Sequence, residues 1–324
     1  MTYRRSETIL QKTQSSNQST VLDLIGNTPL VSLSRIAGDR GYILAKAEFM
    51  QPGGSVKDRP AKKIIELAYE KARLIHGQPV IEMTSGNMGA GLAVVCSAFG
   101  NPFTAVMSAG NSIERVRMLE GLGATVVRIP QVEGTLGHVT GKDIEAAASA
   151  ARDLAYQLGA YYVDQFNNPG STLAHEQNTG PEIWRQTEGE LDAFVAMVGS
   201  GGTFVGTSRF LKRTNDSVLC VAVEPKGAAI LAGKTVTHSK HVMQGAGYSI
   251  VPPLWDPAVA DCFHEVSSDE AVEMKKRLGS EQGLYVGFSA AANVCAAVQL
   301  FDLGIVPRGG TVVTILCDTG LKYS

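Results

Sequence analysis

The sequence predicts an α/β protein built from two three-layer domains, each with a twisted, mostly parallel sheet, and with a cleft between the domains. Short apolar runs of strand type alternate with amphipathic runs of helix type, which is typical of βαβ units. This alternation occurs in two separate series along the chain. The 324 residues also exceed what one hydrophobic core usually serves, and roughly 150 residues per domain suggests about two domains.

The first series begins with PVIEM at 79–83, which predicts a strand. GLAVVCSAF then predicts a helix, FTAVM at 103–107 a strand, SIERVRMLEGLG a helix, and TVVRIP at 125–130 a strand. After a loop-like stretch the pattern resumes with a long helix near 142–158, which ends at Gly159 because glycine is favoured after a helix C-terminus. YYVDQFNNPGST follows and marks a crossing between domains.

The second series begins with FVAMVG at 194–199 and a helix from Thr203. The further predicted elements are the strand VLCVAVEP at 218–225, a loop-rich region to about 266, helices near 268–282 and 289–303, and the strand TVVTILC at 311–317. We expect three regions: a flexible N-terminal arm over 1–20, a smaller, mobile substrate-binding domain over 50–165, and a larger domain over 21–49 plus 166–324.

Composition narrows the function classes. A formal net charge of -2 gives no electrostatic case for nucleic acid or an anionic membrane surface, so small molecules are the expected partners. No segment approaches about 20 uninterrupted apolar residues, and we expect a cytoplasmic protein. The five cysteines are odd in number and widely spaced, which argues against a disulfide framework and a zinc site. His238 and His241 lack an evident third ligand, so we expect no metal.

Three small-residue loops are predicted to follow strands directly and to precede helices: TSGNMG at 84–89, GSGGT at 199–203 and GFSAAA at 287–292. Open α/β sheets bind ligands at this edge. GSGGT combines glycines with two hydroxyls at a helix start, which suits a phosphate, although a purely structural turn has the same composition. TSGNMG suits a carboxylate, and the alternative is a capped helix.

Lys57 lies in GGSVKDRPA at 53–61, between a flexible run and the first turn of a helix. One interpretation is a solvated helix start, in which Asp58 complements the helix dipole and Pro60 occupies the first turn. The other is a desolvated amine held for Schiff-base chemistry. Considered alone, Lys57 leaves both interpretations open. A nicotinamide site is a further alternative, since Glu224 lies about 20 residues after GSGGT.

Seven motifs together carry a family resemblance: NTPL at 27–30, GGSVKDR at 53–59, TSGNMG at 84–89, DQFNNP at 164–169, HEQNTGPEIW at 175–184, GSGGT at 199–203 and MQGAGY at 243–248. In this order and spacing they resemble the cysteine synthase and cystathionine β-synthase family of pyridoxal-phosphate enzymes, of the tryptophan-synthase-β fold type (PLP fold type II). The resemblance extends from about Leu22 to the C-terminus. It implies that pyridoxal 5'-phosphate binds in the cleft between the domains.

The resemblance also implies a role for individual residues. Lys57 matches the lysine that binds the cofactor covalently and then serves as general base. Asn87 matches the partner of the ring hydroxyl, and Ser289 the partner of the pyridine nitrogen. The implied phosphate cup, in the larger domain, is Gly199, Ser200, Gly201, Gly202 and Thr203. The implied substrate-binding residues are Thr84, Ser85, Gly86, Asn87, Met88, Gln165 and Tyr248.

The implied activity is β-replacement on serine or O-acetylserine through an aminoacrylate intermediate, with cysteine synthesis from sulfide as the favoured outcome. A neutral serine at the pyridine nitrogen fits elimination and addition at Cβ better than transamination. Two departures from the cysteine synthase pattern leave the substrate open. Met88 stands where those enzymes usually have threonine, and Tyr248 is closer to the cystathionine β-synthase type of loop.

Several rival interpretations remain open. One is cystathionine β-synthase-like use of serine or cysteine with a larger thiol and release of sulfide, and another is deamination of serine or threonine. A protein of a different class would be a non-catalytic partner of serine acetyltransferase, while a nicotinamide-dependent dehydrogenase fits least well. The expected partners are an amino acid with a thiol or sulfide, serine acetyltransferase, and a second copy of the chain in a homodimer.

Overall fold

Two sheets, each covered by helices on both faces, form the body of the protein. The computed structural model describes residues 19–136, 139–238, 240–247 and 250–323. Most of the predicted arm over 1–20 lies outside these ranges, as does Tyr248. In the described part of the chain, no helix is long and apolar enough to cross a membrane. The same part contains no cluster of three or more His, Cys, Asp or Glu side chains that could hold a metal ion.

Among the described residues, ten strands build the two sheets: β1 (Leu30–Ser32), β2 (Tyr42–Lys46), β3 (Val80–Met83), β4 (Phe103–Ser108), β5 (Thr125–Ile129), β6 (Tyr161–Tyr162), β7 (Ala193–Met197), β8 (Leu219–Pro225), β9 (Cys262–Val266) and β10 (Thr311–Ile315). The first sheet has the order β1-β2-β10-β7-β8-β9, and the second has β5-β4-β3-β6. Neighbouring strands are parallel except β1 and β2. The predicted α/β fold class with mostly parallel sheets is confirmed.

The helices cover these sheets: α1 (Ser34–Ala37), α2 (Asp58–Glu70), α3 (Asn87–Phe99), α4 (Ile113–Gly121), α5 (Gly141–Leu158), α6 (Gly170–Ala174), α7 (Gly180–Gln186), α8 (Gly202–Thr214), α9 (Ser268–Gln282) and α10 (Phe288–Asp302). A π-helical turn, His175–Thr179, joins α6 to α7. The predicted stop of α5 is confirmed, because Gly159 has a φ of 59° in the left-handed region. At its other end, Thr140 and Asp143 form a capping box.

Each sheet separates two apolar layers. In the six-stranded sheet, α1, α9 and α10 pack on one face, whereas α7 and α8 pack on the other. In the four-stranded sheet, α2, α3 and α4 share one face with Val80 and Phe103, whereas α5 lies on the opposite face against Ile81 and Val106. Strands with both faces buried read as continuous apolar runs, which is why the sequence reveals most of them. The domain boundaries at 50–165 and elsewhere stay a prediction.

Two sequence predictions are wrong. Residues 262–266, predicted as part of a loop-rich region, form β9 at the edge of the six-stranded sheet, where the strand is only partly buried and its apolar signal is weak. The segment at 287–292, predicted as a loop directly after a strand, follows no strand of either sheet directly, and all of it after Gly287 belongs to α10. This segment comes after α9. An isolated bridge between Val286 and Thr319 connects it to the residues that follow β10.

Candidate active site

Lys57 lies at the N-cap of α2, where the chain turns from a loop into the helix. The loop is anchored to the six-stranded sheet because the Val56 amide donates to the Cys317 carbonyl at 2.8 Å. The amine points across the cleft, and Lys57 Nζ lies 3.3 Å from Ser200 Oγ. No carboxylate of the described residues forms an ion pair with it. Burial lowers the pKa of Lys57, and the opposing contribution comes from Cys317.

The loop from Gly199 to Thr203 connects β7 to α8 and is tightly enclosed by backbone. A Cβ on Gly199 would lie 2.3 Å from the Gly245 carbonyl oxygen, and one on Gly202 would lie 2.7 Å from the Ser171 carbonyl oxygen. Gly201 has a φ of 92°, which L side chains rarely adopt. Since α8 begins at Gly202, its free backbone N-H groups and positive dipole end lie at this loop. This arrangement suits a phosphate.

The TSGN loop ends β3 and begins α3, with Gly86 at the N-cap rather than Ser85 or Asn87. Thr84 Oγ1 accepts hydrogen bonds from the amides of Gly86 and Gly89, at 3.4 and 3.1 Å, so this hydroxyl braces the loop. Ser85 Oγ receives a hydrogen bond from Arg115 at 3.2 Å. The guanidinium of Arg115 therefore lies beside the Ser85 hydroxyl, which is predicted to bind the substrate carboxylate.

Met88 packs beneath this loop. Its side chain is 3% exposed and belongs to the apolar cluster between α2, α3, α4 and the four-stranded sheet. The side chain is therefore directed into the core, and its burial favours the packing interpretation over a substrate contact. A substitution at Met88 therefore changes the packing beneath the loop.

Gln165 follows β6 and reaches back to the end of β3. Its Nε2 atom donates to Glu82 Oε1 at 3.3 Å and to the Met83 carbonyl at 3.4 Å. Glu82 is 1% exposed, and burial raises its pKa to about 8. The amide nitrogen of Gln165 is thus engaged with the protein, and its contact with a substrate carboxylate stays a prediction.

Asn87 contacts the segment after β10. Its Nδ2 donates to Asp318 Oδ2 at 2.7 Å, and its Oδ1 accepts from Lys322 Nζ at 2.8 Å. Ser289 lies in the first turn of α10 and is partly exposed. Two residues before Ser289, the amide of Gly287 donates a hydrogen bond to the Asp318 carbonyl at 3.0 Å. The segment after β10 thereby brings the loops that carry Asn87 and Ser289 to one place.

Behind Lys57 lies a buried ionic network. Arg59 contacts Glu48 and Glu182, each at 2.7 Å, and Lys46 contacts Glu182 at 2.6 Å. Burial acts to raise the pKa of Glu182, but Arg59 and Lys46 hold it down at about 2. Two positive and two negative side chains balance, so this network fixes the start of α2 without adding a net charge of its own.

Five residues in or beside the site were not assigned a role from sequence: Glu82, Arg115, His175, Asp318 and Lys322. His175 is 1% exposed; its Nδ1 lies 2.9 Å from Thr179 Oγ1 and its Nε2 lies 3.2 Å from Thr203 Oγ1. One signal points to Asp318 and Lys322, because LCDTGLKY directly follows an apolar strand and thus lies at the ligand-binding edge.

The fold and the pairing of an uncompensated amine with a glycine cradle define the class: an α/β protein whose cleft suits a phosphate-bearing group beside a lysine. A family model described as pyridoxal-phosphate dependent enzyme matches residues 21–318. Over 306 residues the chain is 36% identical to a cysteine synthase of Staphylococcus aureus, and the match covers 94% of each chain.

Solved structures agree with this relationship. The chain superposes on O-ureido-L-serine synthase with a TM-score of 0.86 and 35% identity, covering 95% of this chain and 94% of that one. For O-acetyl serine sulfhydrylase isoform 3 from Entamoeba histolytica the TM-score is 0.85 at 32% identity, covering 96% and 91%. The chain therefore belongs to the pyridoxal-phosphate-dependent enzymes, as a cysteine synthase-like member that carries out β-replacement.

Proposed function

We propose that the chain makes cysteine by replacing the β-substituent of O-acetylserine with sulfide. The observation that carries this proposal is the placement of Lys57 Nζ, 3.3 Å from Ser200 Oγ of the glycine loop and without a carboxylate partner in the described chain. The chemistry supplied by bound pyridoxal phosphate is the withdrawal of electrons from the substrate Cα. The loop from Gly199 to Thr203 would hold its phosphate, and Asn87 and Ser289 would hold its ring.

Lys57 acts as the base of this reaction. Burial lowers its pKa, so a larger fraction of the amine is neutral at a given pH and can accept the proton from Cα at Nζ. Ser200 is a neutral neighbour, which leaves that lowered pKa intact. The substrate carboxylate is received at the start of α3, where Ser85 offers a hydroxyl and the helix offers its positive end.

The visible absorption spectrum of the purified protein tests this proposal. The cofactor band is followed through separate additions of L-serine, O-acetyl-L-serine and L-cysteine. A spectral change with O-acetylserine alone supports cysteine synthesis, whereas a change with serine or cysteine moves the assignment to the cystathionine or sulfide-releasing branch. Lys57→Ala should lose the covalent band, while Lys71→Ala, exposed at the other end of the same helix, should keep it. A protein without a cofactor band, even after added pyridoxal phosphate, would refute the role of Lys57.

A larger thiol that carries a carboxylate, such as homocysteine, is the second candidate nucleophile. The observation in its favour is Arg115, whose guanidinium contacts three neutral acceptors: Ser85 at 3.2 Å, Asn111 at 3.4 Å, and Gln244. Within the described residues no acid forms an ion pair with Arg115. A guanidinium without a counter-ion at the cleft suits an incoming carboxylate.

Sulfide and homocysteine distinguish the two candidates. If Arg115 binds a nucleophile carboxylate, Arg115→Met should lower kcat/KM for homocysteine about tenfold more than for sulfide. Arg117→Met, exposed on the same helix, is the matched control. An equal loss with both nucleophiles would show that Arg115 acts only on the shared substrate loop.

Two partner proposals follow from the family resemblance alone. The first is self-association as a homodimer, which light scattering after size-exclusion chromatography measures directly. The second is binding of the C-terminal tail of serine acetyltransferase in the active-site cleft. A peptide of that tail should compete with O-acetylserine for the wild-type protein, and a failure to compete would contradict this proposal.

A further inference from the structure

The segment after β10 joins the loops that surround the predicted cofactor ring. Asp318 forms an isolated bridge with Ser55, just before Lys57, and Thr319 forms another with Val286, just before α10. The Thr319 amide also donates to the Gly54 carbonyl at 3.2 Å. The segment therefore touches two of the loops that carry predicted cofactor-binding residues, although no role was assigned to it from sequence.

The third loop is reached through Asn87. Lys322 Nζ donates to Asn87 Oδ1 at 2.8 Å and to the Gly53 carbonyl at 2.7 Å. On the other side of the amide, Asn87 Nδ2 donates to Asp318 Oδ2 at 2.7 Å. The same oxygen of Asp318 accepts a hydrogen bond from the Tyr323 hydroxyl at 2.6 Å. The amide of Asn87 is thus held between an ammonium and a carboxylate.

The chemistry of these two neighbours fixes which way the amide faces. An ammonium only donates hydrogen bonds, so the oxygen of Asn87 must face Lys322, and its nitrogen then faces the accepting Oδ2 atom of Asp318. One N-H of the amide remains after the bond to Asp318. With its oxygen turned toward Lys322, Asn87 offers this remaining N-H as a donor to a ligand on its nitrogen side.

We propose that Asp318 and Lys322 are positioning residues that hold Asn87 as a hydrogen-bond donor to the 3-oxygen of the cofactor ring and so favour the deprotonated form of that oxygen. This inference rests on the proposed contact between Asn87 and the ring. A donor and a nearby ammonium both stabilise an oxyanion, whereas an amide free to turn would also offer its carbonyl oxygen to a protonated hydroxyl.

The surroundings leave the clamp little freedom. Asp318 is 1% exposed, and a Cβ on Gly287 would lie 2.1 Å from its Oδ1 atom. Tyr323 packs edge-on against Phe288 with ring centroids 5.9 Å apart, and Lys275 Nζ lies 4.2 Å from the Phe288 centroid. A carboxylate with no room to move and a braced tyrosine keep the acceptor for Asn87 in place.

Charged and titratable groups surround the clamp on several elements. The groups that act on Lys322 are Asp318 and Asp58, and those that act on Asp318 include Lys322, Lys275 and Tyr323. Asp58, Lys275, Tyr323 and Asp318 are present in every variant. The informative quantity is therefore the difference between the apparent pKa of the cofactor band in a variant and that in the wild type.

The test compares pH titrations of the cofactor absorption band in holoenzymes reconstituted from wild type, Lys322→Met, Lys322→Arg and Lys276→Met. Lys322→Met should raise the apparent pKa of the band by about one unit and weaken pyridoxal phosphate binding about tenfold. Lys322→Arg keeps a cationic donor and should restore the wild-type band. Lys276 is exposed on α9, so Lys276→Met should titrate like wild type.

The proposal is overturned if Lys322→Met holoenzyme titrates and binds like wild type. If that variant does not fold, Lys322→Ala, which likewise removes the donor and the charge, decides: an upward shift supports the clamp, and an unshifted band sinks it. Failure of the proposed function looks different, because the wild type would then form no cofactor band. A wild-type band with identical titrations in every variant removes only the roles of Asp318 and Lys322.

Discussion

The buried imidazole of His175 gives the protein a pH-dependent stability that a His175→Gln variant should lose. His175 is 1% exposed, and its two nitrogens contact the hydroxyls of Thr179 and Thr203. Burial, followed by the positive charge of Arg59, lowers the pKa of His175 to about 3. The imidazole is therefore neutral in the folded protein, whereas in the unfolded chain it can take up a proton.

The sign and size of the effect follow from this difference. Because the folded pKa is depressed, the contribution is fully present above the unfolded value of 6.5 and is lost as the pH falls toward 3. Between pH 8 and pH 5, the linkage relation gives a loss of about 2 kcal/mol in the free energy of unfolding. Glutamine keeps an amide for the two hydroxyls but has no titrating group in this range.

Urea unfolding at pH 8, 6.5 and 5 measures this loss in cofactor-free protein, so that cofactor binding adds no pH dependence of its own. The wild type should lose about 2 kcal/mol more than His175→Gln over this interval. His76→Gln controls for the loss of one histidine, since His76 is exposed. Equal pH dependence in wild type and His175→Gln would refute the assignment of a buried neutral imidazole.

Other substitutions test the cradle and the network behind it. Gly199→Ala places a Cβ 2.3 Å from the Gly245 carbonyl oxygen and should weaken pyridoxal phosphate binding about tenfold or more, as measured by fluorescence titration. Gly279→Ala, in α9 with no heavy atom within 4 Å of the new Cβ other than the neighbouring helix backbone, should instead raise the free energy of unfolding by about 0.5 to 1 kcal/mol. Arg59→Met leaves two buried carboxylates without their guanidinium and should cost about 3 to 5 kcal/mol in urea unfolding, whereas a loss near zero would mean that the network is hydrated.

The sequence predicts the parts of the fold that local patterns encode. Strands β3, β4, β7, β8 and β10 are visible because each is an apolar run bounded by turn residues. Strand β9 is not, because an edge strand buries less and its sequence, CFHEV, mixes exposed and buried positions. Helix α5 is predicted to its last residue because its terminal glycine is a local signal, whereas the capping box of Thr140 and Asp143 at its start is a finding of the structure.

The site divides in a similar way. Lys57 and the loop from Gly199 to Thr203 lie in motifs that can be read from the sequence, whereas the clamp on Asn87 cannot. Asp318 and Lys322 are more than 230 positions from Asn87, and only the parallel order of the strands brings them together. Met88 shows that a motif can also suggest too much. Its position in TSGNMG suggested a ligand contact, and only the packing shows that its side chain faces the core.

Lys46, Arg59 and the partly exposed Lys57 show what the sequence alone does not distinguish. Lys46 and Arg59 are almost fully buried and have carboxylate partners in Glu48 and Glu182, so they serve as structural charges. Lys57 is desolvated as well, but its nearest polar partner is a serine hydroxyl. Burial lowers the pKa of Lys46 and of Lys57, and a carboxylate opposes that effect only at Lys46. The amine at 57 thus combines low solvation with a neutral neighbour, which is the environment that covalent and proton-transfer chemistry at a lysine requires.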